Sequence, residues 1–437
     1  MTSTFCPIPW IFQAVRNNGD IRICCQANVT ENQGVVRKPD GTPYNAGRDD
    51  MNAARNADLM RSVRLNMLQG EWSQECGRCQ QEEASGLNSR RQYEIDNWPF
   101  KIEDAQRVTD SDGSINNPRL EYYDLRFGNL CNLACRMCGP TDSHTWYDQW
   151  TEYHGSEEYT DTHGLVRLQR NENGRLTTTD YDWHGSETFW QQLESNIPNI
   201  KHVYMAGGEP MMIERHYEFL QRCIDLGQSE RMILEYNTNM TNLPKRVLDM
   251  WTEFKQVRVG ASMDGMGAVV EYQRWPLKWT QAYKNLQKLD EYAQNNSNII
   301  AWLACTVTAY NAWHIPDFMQ WKLKSSGFKK INSTVKRPII THHVAHGPRR
   351  VNIRVLPRSL KEKLKTYYDS QVVYFKSEFD NNIAANAESI LASIVKYSLA
   401  ADYQDKLPEF VKFTRYLDKA RGNSILDIVP QYKELFE

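Results

Sequence analysis

No run of roughly 18 apolar residues occurs in the chain, which argues against a membrane-spanning helix. The first ~30 residues lack the charged-then-apolar pattern of a secretory leader. A cytoplasmic location is therefore expected, with no membrane partner. Charge of one sign is also lacking, since 52 Lys and Arg stand against 54 Asp and Glu for a formal net charge of −2. Nucleic acid is disfavoured as a partner on that balance, a local basic patch at Arg349, Arg350 and Arg354 aside. Internal repeats and low-complexity stretches are absent. What remains is an ordinary globular composition, 41% hydrophobic and 24% charged, and 437 residues are enough for two or three domains. The 13 Trp residues suit core packing or, alternatively, an aromatic substrate cleft.

The ten cysteines are the informative feature. Eight fall in two clusters, and Cys223 and Cys305 stand alone. Disulfides are not expected in a cytoplasmic chain, whereas spacings such as Cys76-x2-Cys79 and Cys131-x3-Cys135-x2-Cys138 suit thiolates on a metal or cluster. Cys223 reads as structural, and Cys305 as a small buried apolar residue or a radical-donating thiol.

Four regions can be read. Residues 1–95 form a small cysteine-rich α+β domain, with strands at 10–15 and 21–25 around an Asn17–Asp20 turn and a helix over 49–68 that ends at Gly70. Residues 96–118 read as a polar linker. From 119 to 340 strands at 120–127, 202–205, 232–236, 256–262, 299–306 and 329–335 alternate with helices, which predicts α/β architecture with a parallel sheet or partial barrel. The 141–198 insertion is too long for a plain connection and suits a lid or substrate wall. Residues 341–437 read as mainly helical.

The loop Cys131-x3-Cys135-x2-Cys138 directly follows the first strand of the α/β region. Three thiolates on one short loop can hold three irons of a [4Fe–4S] cube and leave the fourth iron open to a small molecule. A structural zinc site is the competing reading, with His144 as fourth ligand. The spacing resembles the signature of the radical S-adenosylmethionine (radical SAM) superfamily, and the likeness extends over about residues 119–340. The resemblance implies a partial (β/α)6 parallel barrel, a SAM-binding cluster on Cys131, Cys135 and Cys138, and Met137 packed on the adenine.

The same resemblance assigns further segments. Ala206-Gly207-Gly208-Glu209-Pro210 is similar to the segment whose backbone binds the methionyl ammonium of SAM, its glycines allowing close approach to a ligand. Asn237 and Asn239, at the next strand end, would bond the ribose or carboxylate, or else cap a helix. The segment Gly260-Ala-Ser262-Met-Asp264-Gly265 with downstream Arg274 resembles peptide-modifying members. Ser262 would contact ribose or carboxylate, and Arg274 would fork onto the carboxylate unless it is merely a solvated helix residue. Asp264 would bind polar substrate atoms or cap a turn. Val307 would line the adenine.

Cys6, Gly19, Cys24, Cys76 and Cys79 resemble the start of a SPASM pattern, and no further cysteine occurs before Cys131. The shortened "twitch" version is implied, with one auxiliary [4Fe–4S] cluster on Cys6, Cys24, Cys76 and Cys79. Cys25 competes with Cys24, and four-cysteine zinc is the structural alternative. In this family one electron, from a donor such as a flavodoxin or ferredoxin, cleaves SAM to methionine and a 5′-deoxyadenosyl radical that abstracts substrate hydrogen. The substrate expected by analogy is a peptide or protein side chain. A small-molecule alcohol or sugar, oxidised or epimerised, is the alternative, and a zinc-stapled binding protein is the non-catalytic one.

Overall fold

The computed structural model describes residues 4–27, 34–84, 86, 88–116, 119–161, 164–333 and 337–437. The chain divides into two compact units. The first comprises Met1–Cys131, Pro140–Tyr236 and Glu253–Val257, and the second Asn132–Gly139, Asn237–Thr252 and Arg258–Glu437.

In the first unit, β1 (Phe12–Val15) and β2 (Ile21–Arg22) form an antiparallel hairpin. Gly19 turns it at φ +84°, and a Cβ there would lie 2.7 Å from the Asn45 amide and 2.8 Å from the Trp183 ring, so only glycine fits. β1 runs parallel to β3 (Tyr122–Phe127), with Ala14 opposite Asp124. Two antiparallel hairpins lie in the 141–198 insertion, β4 (Glu158–Asp161) with β5 (Gly164–Arg167) and β6 (Gln169–Arg170) with β7 (Leu176–Thr177). The insertion is tied to the N-terminal segment: Trp183 Nε1 donates to the Asn17 carbonyl at 2.8 Å and Ser186 to the Gly47 carbonyl at 2.5 Å. β8 (His202–Gly207) pairs parallel with β3, and β9 (Ile233–Thr238) parallel with β8.

The second unit carries β10 (Gln256–Ser262) from Arg258 on, then β11 (Ile299–Val307) and β12 (Thr341–Val344), which pair parallel. Along β11 buried and half-buried residues alternate strictly, the period of a strand with two unlike faces. Helices Glu214–Asp225, Lys245–Trp251, Trp279–Asn295 and Ile315–Lys324 follow successive strands. The result is a mixed α/β protein with a large parallel sheet. The C-terminal segment is helical, in Arg358–Glu378, Asn381–Ala400 and Leu407–Arg421. Among the described residues no helix is long and apolar enough to cross a membrane. Trp146, Trp150, Trp190 and Trp251 are fully buried, which favours the packing role for these tryptophans.

Three local expectations need correction. Trp10 lies in a short helix, Ile8–Ile11, and Ile23–Cys25 continues as bend and turn, so both predicted N-terminal strands are shorter. The helix expected over 49–68 is two helices, Met51–Arg55 and Asp58–Gln69. The break is at Asn56, whose side chain serves both backbone groups of Ile115. The strand expected at 329–335 is not formed over 329–333, and residues 334–335 lie outside the described residues. The backbone N–H groups of Lys329, Lys330 and Ile331 all go to the Asp290 carboxylate, at 2.9, 2.7 and 2.8 Å, which removes them from any ladder. β12 takes the edge position beside β11 instead.

Asp290→Ala is expected to lower stability by about 2–3 kcal/mol, since the backbone N–H groups of Lys329, Lys330 and the buried Ile331 lose one charged acceptor. Urea unfolding with an unchanged slope and a lower midpoint is the check. On β12, burial holds His342 and His343 below the usual imidazole range, His342 further through its neighbour His343. The unfolded chain therefore binds these protons first. Their contribution is complete above the unfolded value of about 6.5 and falls as pH drops through the lower native values. Unfolding midpoints should decrease from about pH 8 to pH 5, and His342→Gln with His343→Gln should flatten that slope.

Candidate functional site

The three-cysteine loop leaves the end of β3 and is held mainly through its backbone. Gly208 N–H donates to the Gly128 carbonyl at 3.0 Å, and Glu209 N–H to the Leu130 carbonyl at 2.8 Å. Both glycines are sterically required. Gly207 has φ +114°, with Phe127 N 2.5 Å from where a Cβ would sit, and a Cβ on Gly208 would lie 2.3 Å from the Leu130 oxygen. Gly207 thus lies against the end of β3 and Gly208 against the start of the cysteine loop. Glu209 is 1% exposed and its carboxylate accepts from Met211 N–H, while Pro210 is buried at the start of that turn. The Cys131 N–H donates to His144 Nδ1 at 3.2 Å, and the Cys131 carbonyl accepts from Thr145 Oγ1 at 2.5 Å. His144 is therefore a neutral acceptor through Nδ1, and burial lowers its pKa in keeping with that.

Further along the loop, Asn132 Oδ1 accepts from Asn239 Nδ2 at 3.0 Å, and Asn239 Oδ1 accepts from Thr241 N–H at 2.9 Å. Asn239 thus acts as turn residue and loop tie, and Asn237 is exposed at the end of β9. Ala134 and Arg136 donate their N–H groups to the carbonyls of Trp275 and Gln273, at 2.7 and 2.8 Å. Met137 and Cys138 are half-buried, and Cys131 and Cys135 are buried. A hydrogen bond from Cys138 lowers the Cys135 thiol, with Arg274 adding to the effect.

Arg274 is 8% exposed, which excludes the solvated reading. Its guanidinium forks onto Asp264, with Nε 2.7 Å from Oδ2 and Nη2 donating to Oδ1 at 3.0 Å. Asp264 is fully buried and also accepts from Gln273 Nε2 and Thr306 N–H, at 2.8 and 2.7 Å. This network joins the end of β10 to the end of β11, so Asp264 does more than cap a turn. Ser262 is half-buried at the end of β10, and Val307 is fully buried at the end of β11. Cys305 is buried beside Asn311 Nδ2 at 3.8 Å, and burial pushes its thiol well above the ordinary range, as for an apolar filler.

In the first unit Cys6, Cys24, Cys76 and Cys79 line one cavity of about 490 Å³, mouth included, with Ile8, Ile23, Val63, Met67 and Trp72 as apolar wall and Arg90 and Arg91 beside the thiols. Cys25 is not part of its lining. It is hydrogen-bonded to Cys24 and has Asp124, Arg90 and Arg126 as charged neighbours. Burial raises the thiols of Cys6, Cys76 and Cys79, that of Cys76 to about 12. All ten cysteines are thiols. Among the described residues no three His, Cys, Asp or Glu side chains converge as a single metal ion requires. Zinc would need its sulfurs at about 2.3 Å from one point, whereas a cube takes thiolates spread around a cavity wall. The donor set and the apolar wall suit a cluster.

Arg136 in the loop and its distant partner Asp418 escaped the sequence reading. Arg136 is fully buried, with Nη2 donating to Asp418 Oδ1 at 2.6 Å and to Asn423 Oδ1 at 2.9 Å, and its guanidinium 3.6 Å from the Tyr272 ring centroid. Tyr272 OH also donates to Asp418, at 2.7 Å. An Arg between two cysteines was visible in the sequence, but its partner lies 282 residues away.

No family model matches the chain, and no curated protein matches it. Solved structures do. Native anSMEcpe with bound AdoMet and Cp18Cys peptide is 15% identical, covering 60% of this chain and 62% of that one, with a TM-score of 0.36. Streptococcus suis SuiB bound to S-adenosylmethionine is 12% identical over 78% of this chain and 68% of that one, with a TM-score of 0.33. SuiB bound to precursor peptide SuiA is 12% identical over 63% and 56%, with a TM-score of 0.28. The chain thus spans about three fifths of the first of these.

Arg136→Met is expected to cost about 3–5 kcal/mol, because Asp418 loses its buried cation. Asp418→Asn, which keeps an acceptor, should cost less. Guanidinium unfolding of both variants is the check, and equal losses would show that the charge is not what matters.

Proposed function

We propose that this protein is a radical SAM enzyme with a partial (β/α)6 core over residues 119–340 and an N-terminal twitch-like domain over 1–95. Cys131, Cys135 and Cys138 would hold a [4Fe–4S] cluster that binds SAM, and Cys6, Cys24, Cys76 and Cys79 a second, auxiliary one. The observation that carries this reading is the backbone pairing of Gly208 and Glu209 with Gly128 and Leu130. Two segments some 80 positions apart, each assigned to SAM chemistry by the resemblance, are bonded to one another. Such a cluster, when bound, supplies the electron that cleaves SAM to methionine and a 5′-deoxyadenosyl radical.

The chain's own part is positioning. The loop carbonyls at Gly128 and Leu130 are occupied, which orients the turn at Cys131. Ser262 and Asn237, at strand ends and not fully buried, would contact the ribose or carboxylate. Arg274, committed to Asp264, sets the β10 end from which Ser262 projects. Met137 and Val307 supply apolar contact for adenine. The substrate is proposed to be a peptide or protein side chain, by the likeness of Ser262–Gly265 to peptide-modifying members, and the electron donor a flavodoxin or ferredoxin.

Anaerobic reconstitution should give about eight irons per chain, falling to about four when Cys131, Cys135 and Cys138 are all changed to Ala. SAM with dithionite should yield 5′-deoxyadenosine from the wild type alone. Zinc in place of iron, with SAM left intact, overturns the reading. Cys24→Ser should lower iron to about four, whereas Cys25→Ser should leave it near eight, because only Cys24 lines the cavity.

A further inference from the structure

β12 is the last strand on its side of the sheet, and only its edge toward β11 is paired. His343 stands opposite Thr306, and the Ala345 N–H donates to the Val307 carbonyl at 2.9 Å. Peptide groups alternate sides along a strand, so those of Thr341, His343 and Ala345 face β11 and those of His342 and Val344 face away. Among the described residues the N–H and C=O groups of His342 and Val344 make no hydrogen bond. His343 is exposed, and Thr341, His342 and Val344 are half-buried. Edge strands are ordinarily protected by a Pro, a Lys or a bulge. Apart from being short, Thr341-His-His-Val344 carries none of these, and its register with β11 is unbroken.

The chain around this edge carries charge of one sign. Residues 318–361 contain 11 Lys and Arg and three His, with no Asp or Glu. Two positions past β12, His346 Nδ1 lies 3.4 Å from Tyr397 OH. The Arg354 guanidinium is 3.7 Å from the centroid of that same ring, and the guanidinium of exposed Arg349 is 5.1 Å from the Tyr403 ring. Arg350 and Lys361 have carboxylate partners, Glu409 and Asp402, each at 3.5 Å. Among the described residues Arg349 and Arg354 have no carboxylate partner. An open row of peptide donors and acceptors beside such cations fits an extended chain that brings its own backbone groups and acidic side chains. A nucleic acid would bring the charge but no strand to pair.

We propose that the free edge of β12 docks an extended, acidic peptide segment. The segment pairs with the N–H and C=O groups of His342 and Val344, and its Asp or Glu side chains meet Arg349 and Arg354. The inference rests on the proposed function only in taking that peptide as the substrate, since strand pairing needs no cluster.

The test is binding of a short fluorescein-labelled peptide of alternating Glu and Thr to the full chain, as isolated and reconstituted. Affinity is read by fluorescence anisotropy, and amide hydrogen exchange over β12 by mass spectrometry. The peptide should bind and slow exchange across β12. Its fully N-methylated form keeps the charge but has no N–H, and should bind several-fold more weakly, as should a peptide of alternating Lys and Thr. Val344→Pro removes an N–H that the ladder with β11 does not use, so the fold should persist while affinity falls several-fold. Arg349→Glu should weaken binding with an unchanged unfolding midpoint. Should Val344→Pro fail to fold, the exchange pattern of the wild type decides. Absence of binding, binding without protection of β12, or equal affinity for the N-methylated peptide overturns the proposal. Tighter binding of a single-stranded oligonucleotide than of the peptide assigns the cations to nucleic acid and also overturns it. SAM cleavage without peptide binding sinks this inference alone, and peptide binding without SAM cleavage sinks the proposed function alone.

Discussion

A loop carrying three thiolates has little structure of its own. It has no helix or ladder to satisfy its backbone. Its conformation therefore depends on partners supplied for its peptide groups. Gly208 and Glu209 take the carbonyls of Gly128 and Leu130, His144 and Thr145 serve both backbone groups of Cys131, and Gln273 and Trp275 accept from Arg136 and Ala134. Other features follow from that requirement. Gly207 and Gly208 must lack side chains for the approach to occur, and the Tyr272–Pro276 stretch must lie where its carbonyls face the loop.

Charged side chains serve the same end elsewhere. Asp264, Asp290 and Arg136 are all buried, and each binds segments distant in sequence. A buried charge is tolerated only with several well-aligned partners, and each of these has them. Arg126 and Asp124 pair in the same way within one strand, the carboxylate buried and the guanidinium part-exposed.

How much could be read beforehand varied with the range of the interaction. β3, β8, β9, β10 and β11 lie close to their expected positions, because alternation and flanking turns are local signals. The expected strand at 329–335 failed because Asp290, about 40 residues earlier, claims its first N–H groups. Helix 49–68 broke at Asn56 for the same kind of reason, a side chain pairing with Ile115. Arg274 was legible as a carboxylate binder, but nothing local indicated that the carboxylate in reach is Asp264.

Spacing by itself determined the chemistry this chain can offer: three thiolates within eight positions, a Gly-Gly pair at a strand end, and four more cysteines near the N-terminus. Those are covalent facts, independent of folding. Only the tertiary structure decided between neighbours that spacing treats alike. Cys24 lines the cavity with Cys6, Cys76 and Cys79, whereas Cys25 has Asp124, Arg90 and Arg126 as charged neighbours, a difference set by the turn after β2. It also decided which charged groups are spent on holding the fold, since that depends on partners as distant in sequence as Arg136 and Asp418 meeting in space.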